Sequence, residues 1–311
     1  MSAGPPRGAA ASERRQLCAA LASASEEPLI GKAGGTRAWV LLEHPGPWPH
    51  DAPRGPLPPH LVDAIERHAD AHALRVLLIR RRGRPPLDGR LQSYLAWSGC
   101  DPPWMEERTL GDYAEILEAD LAALAAGRRP GFGAPVAAPL FLVCTHGKKD
   151  PCCAKFGLPV ARALAAAYGA SVWESTHVGG DRFAGNLVCL PHGLYFGHLS
   201  PAAAVAIARG YSRGLVEQPS RYRGRSGQPK AVQAAEWYAR AREGVREIEA
   251  IRVEEHRPVA DGEEVVLRVA GKRRRVRVRE VSLPPRPHGC AIAAAWSPPH
   301  WELVSYDASH G

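Results

Sequence analysis

Three observations predict an α/β fold for this chain. A strand-like run at Thr36–Glu43 is followed by an amphipathic helix at Pro58–Ala73 and a nearly continuous apolar strand at Leu74–Ile79, and strand, helix, strand in that order reads as a parallel unit. The same order returns at Pro139–Val143, Leu158–Tyr168 and Ser171–Trp173. The chain of 311 residues has room for two such units, and its 45% hydrophobic content is ordinary for a globular protein.

The elements follow in order. Residues 1–16 are rich in Ala, Gly, Pro and Arg and lack the continuous apolar core of a secretory signal, so a disordered tail is expected there. Leu17–Ala24 has a short helical pattern, and the Thr36–Glu43 strand ends at the rigid Pro45-Gly46-Pro47 turn. In the next helix Leu61, Ile65 and His68 or Ala69 keep helical spacing. Leu91–Trp97 is a further strand, and Gly111–Ala126 a helix with Tyr113, Ile116, Leu117 and Leu121 on one face. The Gly- and Arg-rich stretch Ala125–Ala134 marks a boundary, giving an N-terminal α/β domain over 17–130.

A second domain over 131–214 begins with the strand Pro139–Val143 and a loop from Cys144 to Cys153. The helix Leu158–Tyr168 stops at Gly169, and Ser171–Trp173 leads into a loop carrying His177. Asn186–Leu190 and Leu194–Gly197 pair about Pro191-His192-Gly193, and Pro201–Arg209 opens a helix with proline at its start. Residues 215–311 form an extension: a basic linker with Arg221, Arg223 and Arg225, a helix over Ala231–Ile248, and a hairpin of Glu264–Val269 with Arg274–Val281 about Gly271. There Arg275, Arg277 and Arg279 alternate with Val276 and Val278, which puts the arginines on a wet face. No internal sequence repeat is visible, although the two α/β units invite structural comparison.

Composition narrows the function. The net charge of +8 is carried mostly by arginine and admits acidic partners, but Ala, Arg, Gly and Pro are abundant throughout, so the charge reads as compositional bias on solvated faces. Clustered arginines with no recognisable motif and few interleaved aromatics are weak support for nucleic-acid binding. Seven cysteines, an odd number scattered over a long chain, favour a reducing cytoplasm over a disulfide-stapled secreted domain. The longest apolar stretch, Ala134–Cys144, is broken by prolines and too short to span a membrane. Neither a Gly-x-Gly-x-x-Gly nor a P-loop pattern occurs, and no carboxylate pair is assignable to glycosidase chemistry.

Chemistry-bearing residues crowd into two stretches that follow strands. The first reads Cys-Thr-His-Gly-Lys-Lys-Asp-Pro-Cys-Cys from Cys144 to Cys153; the second reads Ser-Thr-His-Val-Gly-Gly-Asp-Arg-Phe-Ala-Gly-Asn from Ser175 to Asn186. Seven or eight residues between Cys144 and Cys152 or Cys153 are loose for a zinc knuckle. They suit a two-iron cluster, in which imidazole can replace thiolate on one iron. His177-x3-Asp181 is then the second ligand pair.

These stretches resemble the sucrase/ferredoxin-like family. Cys144, His146, Asp150 and Cys153 meet its first pattern, and Thr176, His177, Gly179, Gly180, Asp181, Arg182, Phe183, Ala184 and Asn186 its second. The likeness extends to Cys18, Glu27-Pro28-Leu29, Glu43-His44-Pro45-Gly46-Pro47-Trp48 and, more faintly, Gly289-Cys290. The resemblance implies a thioredoxin-like [2Fe-2S] ferredoxin domain, which the order β-α-β, loop, β-β-α over 131–214 matches, with Cys144, Cys153, His177 and Asp181 as metal ligands. It also implies an electron carrier rather than an enzyme with its own substrate, with proton coupling through His177 and a redox partner protein that docks.

One departure from the family stands out: its characterised members carry His-x3-His, whereas here the fourth position is Asp181. A carboxylate is a harder ligand, so Asp181 either binds iron or orients the His177 ring, and Cys152, Cys189, Cys290 and His146 are the other candidates. Cys189, in an apolar strand, reads as an inert core thiol. His146 reads as a hydrogen-bonding group, and Cys18, Cys100 and Cys290 as isolated thiols. Gly179 and Gly180 either admit close backbone approach or simply turn the chain. Arg182 and Lys148 either face the cluster or face water. A thiol-disulfide or peroxide-reducing oxidoreductase using Cys144, Cys152 and Cys153 is the competing reading, but it lacks the Cys-x-x-Cys spacing of thioredoxin chemistry.

Overall fold

The computed structural model describes residues 17–309 except 68–73, 82, 84–88, 100–101, 288 and 291–294. The expected tail over 1–16, the helical positions His68 and Ala69, and Cys100 lie outside the described residues. The fold is mixed α/β, as expected, with a C-terminal extension richer in strands than the sequence announced.

Ten strands make one sheet. They are β1 (Ala38–Glu43), β2 (Leu74–Arg80), β3 (Leu91–Trp97), β4 (Trp104–Leu110), β5 (Ala134–Pro135), β6 (Leu140–Cys144), β7 (Val172–Ser175), β8 (Leu187–Leu190), β9 (Leu194–Phe196) and β10 (Tyr222–Arg225), in the order β10-β9-β8-β6-β7-β2-β1-β3-β4-β5. The helices among and before them are α1 (Cys18–Ala24), α2 (Pro59–Glu66), α3 (Leu121–Ala125), α4 (Pro151–Tyr168) and α5 (Pro201–Tyr211).

The sheet contains one pattern twice. β1-α2-β2 is a parallel crossover followed by the antiparallel pair β3 and β4. β6-α4-β7 repeats that crossover, followed by β8, β9 and α5. The two units meet through β2 and β7, which pair antiparallel with Ile79 opposite Ser175 and Arg80 opposite Glu174. Hydrogen bonds from Thr176 N–H to Leu78 O and from Leu78 N–H to Thr176 Oγ1 extend this seam. Alternate strand residues serve opposite faces. Trp39, Leu41, Leu77, Ile79, Leu142, Trp173, Val188 and Tyr195 build one core common to both units, while Val40, Leu42 and Leu78 face a core under α2 and α3.

Several boundaries differ from the sequence reading. The helix expected over Gly111–Ala126 is a 3-10 turn at Tyr113–Glu118 and then α3, because Asp112 and Asp120 each cap a fresh start and Ala119 between them is extended. Leu117 accordingly lies exposed rather than on a buried face. The helix expected from Leu158 begins at Pro151: Asp150 caps it, with Oδ1 accepting the Cys152 N–H at 2.8 Å, and Pro151 occupies its first turn. Cys152 and Cys153 are therefore helical residues, not loop residues. β10 replaces part of the expected linker, and Arg223 on it is buried rather than solvated.

Beyond Gly227 the helix α6 (Lys230–Glu243) ends five residues before the expected Ile248, where Gly244 takes a left-handed conformation, φ +67°. α6 packs on a four-stranded antiparallel sheet of β11 (Ile251–Val259), β12 (Gly262–Val269), β13 (Lys272–Ser282) and β16 (Pro299–Ala308). β12 and β13 are the expected hairpin; β11 and β16 were not read from the sequence. A short ribbon pairs β14 (Arg286–Pro287) with β15 (Ala295–Trp296). Arg275, Arg277 and Arg279 of β13 are half exposed but paired: Arg277 with the buried Glu264 at 2.9 Å, and Arg279 with Asp261 at 3.3 Å. Among the described residues no helix is long and apolar enough to cross a membrane.

Candidate metal centre

The site is built at the carboxyl ends of β6 and β7, where α4 begins. β6 ends in Cys144, the first turn of α4 holds Cys152 and Cys153, and the chain after β7 carries His177. Adjacent residues on a helix point about 100° apart, so Cys152 and Cys153 belong to different surroundings.

Cys153 turns inward. Its Sγ is 3.6 Å from His177 Nδ1, and Cys144 Sγ is 3.9 Å from the same nitrogen. The three ligand atoms lie within 4.8 Å of one another, with both thiols buried and the imidazole partly exposed. The Cys144 thiol is held well below its ordinary value, first by a hydrogen bond from Cys153 and then by His177, against the effect of burial. That same bond, with burial, pushes Cys153 up. The pair thus shares one proton and keeps a thiolate on Cys144, whose sulfur also receives the backbone N–H of His146.

The glycine-rich loop after His177 is fixed through its carbonyls. Arg75 donates to the carbonyls of His177 and Val178, the latter at 3.3 Å, and the Tyr195 hydroxyl donates to Val178 O at 3.3 Å. Arg223 Nη1 donates to Gly179 O at 3.2 Å and to Asn186 Oδ1 at 2.7 Å, while Asn186 Nδ2 reaches Gly180 O at 2.7 Å. Gly180 has φ +76°, and a Cβ there would stand 2.3 Å from Arg223 Nη2. The close approach is made by a buried guanidinium. Sequence reading found His177, both glycines and Asn186 but not Arg75, Tyr195 or Arg223; the one usable signal was Arg75 as a lone cation in an apolar strand.

The remaining predicted residues are placed as follows. Asp181 does not join the Cys144 group. Its Oδ2 is 4.0 Å from Cys18 Sγ, and its carboxyl hydrogen-bonds Asp150. Burial, then that contact, pushes Asp181 up, so it is the donor of the pair. Burial acts on Asp150 in the same sense but is outweighed by the Cys152 N–H, the Asp181 carboxyl and Cys290, which hold its carboxylate low. His146 bonds the Pro49 carbonyl through Nε2 at 2.8 Å and meets the Trp48 ring edge-on. Cys189 is fully buried in the core beneath α4 and α5 and is pushed up by burial. Arg182 faces neither cluster nor water: it pairs with the fully buried Glu27, Nε at 3.0 Å and Nη2 at 2.6 Å. Lys148 is exposed.

Cys152 turns the other way, into a second group with Cys18, Cys290 and Asp150. Sequence reading had no means of joining Cys18 to Cys290, which are 272 residues apart. A cavity of about 370 Å³ opens beside the first group, bounded by His177, Thr176, His146, Arg75 and Lys149.

The sequence profile of the sucrase/ferredoxin-like family matches residues 29–224. That span takes in Cys144, Cys153, His177 and Asp181; Cys18 and Cys290 fall outside it. No curated protein and no solved structure matches the chain.

Proposed function

Since the chain belongs to the sucrase/ferredoxin-like family, we propose that it is an electron-transfer protein holding a [2Fe-2S] cluster on Cys144, Cys153, His177 and Asp181. The observation that carries this reading is the convergence of two buried thiols and an imidazole at 3.6 and 3.9 Å from three separate stretches of chain. The donors fit such a group: thiolate and imidazole are the ligands iron–sulfur clusters take, and the Cys144–Cys153 pair already favours a thiolate. The cluster, when bound, supplies a one-electron couple.

The protein supplies the rest. Cys144 at a strand end and Cys153 on a capped helix hold one side rigidly. His177 presents Nδ1 to the sulfurs and borders the open cavity, so its outer nitrogen can hold a proton, and it is the member of the group through which a docked partner reaches the site. Asp181, turned toward Asp150 and Cys18, would have to swing toward His177 to serve as the fourth donor. Burial of both sulfurs keeps water and oxidants away. The reading places the protein in the cytoplasm, with a redox protein as its partner.

The test is the aerobically purified chain. Iron and acid-labile sulfide in equal amounts, with a red-brown visible spectrum, are expected, and Cys144→Ser or Cys153→Ser should remove both. Unchanged iron and spectrum in both variants would sink the assignment.

A further inference from the structure

We infer that Cys18, Cys152, Cys290 and Asp150 form a second metal site, a tetrahedral zinc centre separate from the Cys144 group. The three sulfurs form a closed triangle: Cys18 to Cys152 at 3.6 Å, Cys152 to Cys290 at 3.3 Å and Cys290 to Cys18 at 3.5 Å. Asp150 Oδ2 stands 4.0 Å from Cys18 Sγ. Zinc–sulfur bonds of about 2.3 Å in a tetrahedron give sulfur–sulfur edges of about 3.8 Å. The edges of the triangle fall a few tenths of an ångström short of that, so the sulfurs need open only slightly to take an ion.

Two further features separate this group from packed core thiols. Cys189 shows what a core thiol looks like here, with apolar neighbours on the sheet. The three sulfurs also have apolar neighbours, Ala19, Ala184 and Phe156 among them, but unlike Cys189 they border a carboxylate that is 4% exposed and has no ion pair with a described cation. Its charge is met only by hydrogen bonds, from the Asp181 carboxyl and the Cys152 and Cys290 N–H groups among them, and a divalent ion held by the thiolates adds the opposite charge that such bonds do not supply. Backbone donors are also aimed at the ligand atoms: Cys18 N–H at Cys290 Sγ (3.3 Å), Ala19 N–H at the Cys152 sulfur, Cys290 N–H at Asp150 Oδ2 (3.2 Å) and Cys152 N–H at Asp150 Oδ1 (2.8 Å). Such contacts orient and stabilise metal-bound thiolate and carboxylate. Three sulfurs with one oxygen select zinc over the oxygen-seeking magnesium or calcium. A disulfide would use two of the sulfurs and strand the third against Asp150.

The consequence is architectural. The ligands come from α1, the start of α4 and the segment after β14, so one ion ties α1 and that C-terminal segment to the helix that carries Cys153. The two sites touch through the hydrogen bond between Asp181 and Asp150, but they share no proposed ligand and are counted by different elements.

The experiment uses the full chain purified from zinc-supplemented medium without chelators. Zinc is expected at one equivalent per chain beside any iron, and the zinc X-ray absorption edge should show a first shell dominated by sulfur. Cys18→Ser and Cys290→Ser should each weaken zinc binding at least about tenfold, the scale on which even outer contacts matter, while iron content stays the same. A native chain without zinc, a zinc shell of oxygen and nitrogen, variants that keep native zinc affinity, or a Cys152–Cys290 disulfide found by mass spectrometry would each overturn the site. If a variant fails to fold, the absorption edge of the native chain decides alone.

Discussion

Gly157 lies against the backbone of Cys144: a Cβ at position 157 would stand 2.1 Å from the Cys144 carbonyl oxygen. Gly157 is four residues after Cys153 on α4, hence on the same helix face. The contact that lets α4 close on the end of β6 is the one that brings the Cys153 thiol to Cys144 and His177.

Gly157→Ala should therefore push α4 away from β6. Overpacking of this kind costs about 1–3 kcal/mol, and the displacement separates the two thiols. A lower unfolding midpoint in urea together with reduced iron per chain is expected; full stability and full iron would show that the helix need not sit so close.

Asp181→Ala should lower iron occupancy, and Asp181→His should retain it by supplying a second imidazole. Iron analysis of the two variants decides. Unchanged iron in Asp181→Ala would leave the carboxyl with its visible task of donating to Asp150.

Arg182→Ala should destabilise the fold by about 3 kcal/mol, the lower end for breaking a buried pair, because Arg286 still reaches Glu27 at 3.2 Å. Arg182→Lys keeps the charge but loses the two-pronged contact, so its urea midpoint should fall between those of the native chain and Arg182→Ala.

His198 gives the fold an acid-sensitive component. Burial, then Arg221 and Arg223, lower its pKa from 6.5 to about 4. As pH falls, the unfolded chain takes up this proton first. The contribution of the neutral ring is thus complete above pH 6.5 and is lost as pH drops towards about 4, a loss on the order of 2–3 kcal/mol. His198 has φ +52°, a conformation Asn tolerates, so His198→Asn should flatten stability over that pH window. An identical pH profile in urea titrations would count against this assignment.

The sequence by itself determined the α/β class, the order of elements from Leu140 to Tyr211, the family, and the two stretches bearing Cys144, Cys153 and His177. These are local properties: hydrophobic period, turn residues and fixed spacing survive in a short window of chain. It misjudged the start of α4, although Asp150-Pro151 is a cap signal. Tertiary structure alone decided the rest. It set Cys152 and Cys153 facing different groups and brought Cys18 to Cys290 across 272 residues. It buried Arg223 of an apparent linker under the His177 loop and joined two sequence-dissimilar units edge to edge through β2 and β7. Each of these is settled by which distant surfaces pack together, and no periodicity or motif within a single segment carries that information.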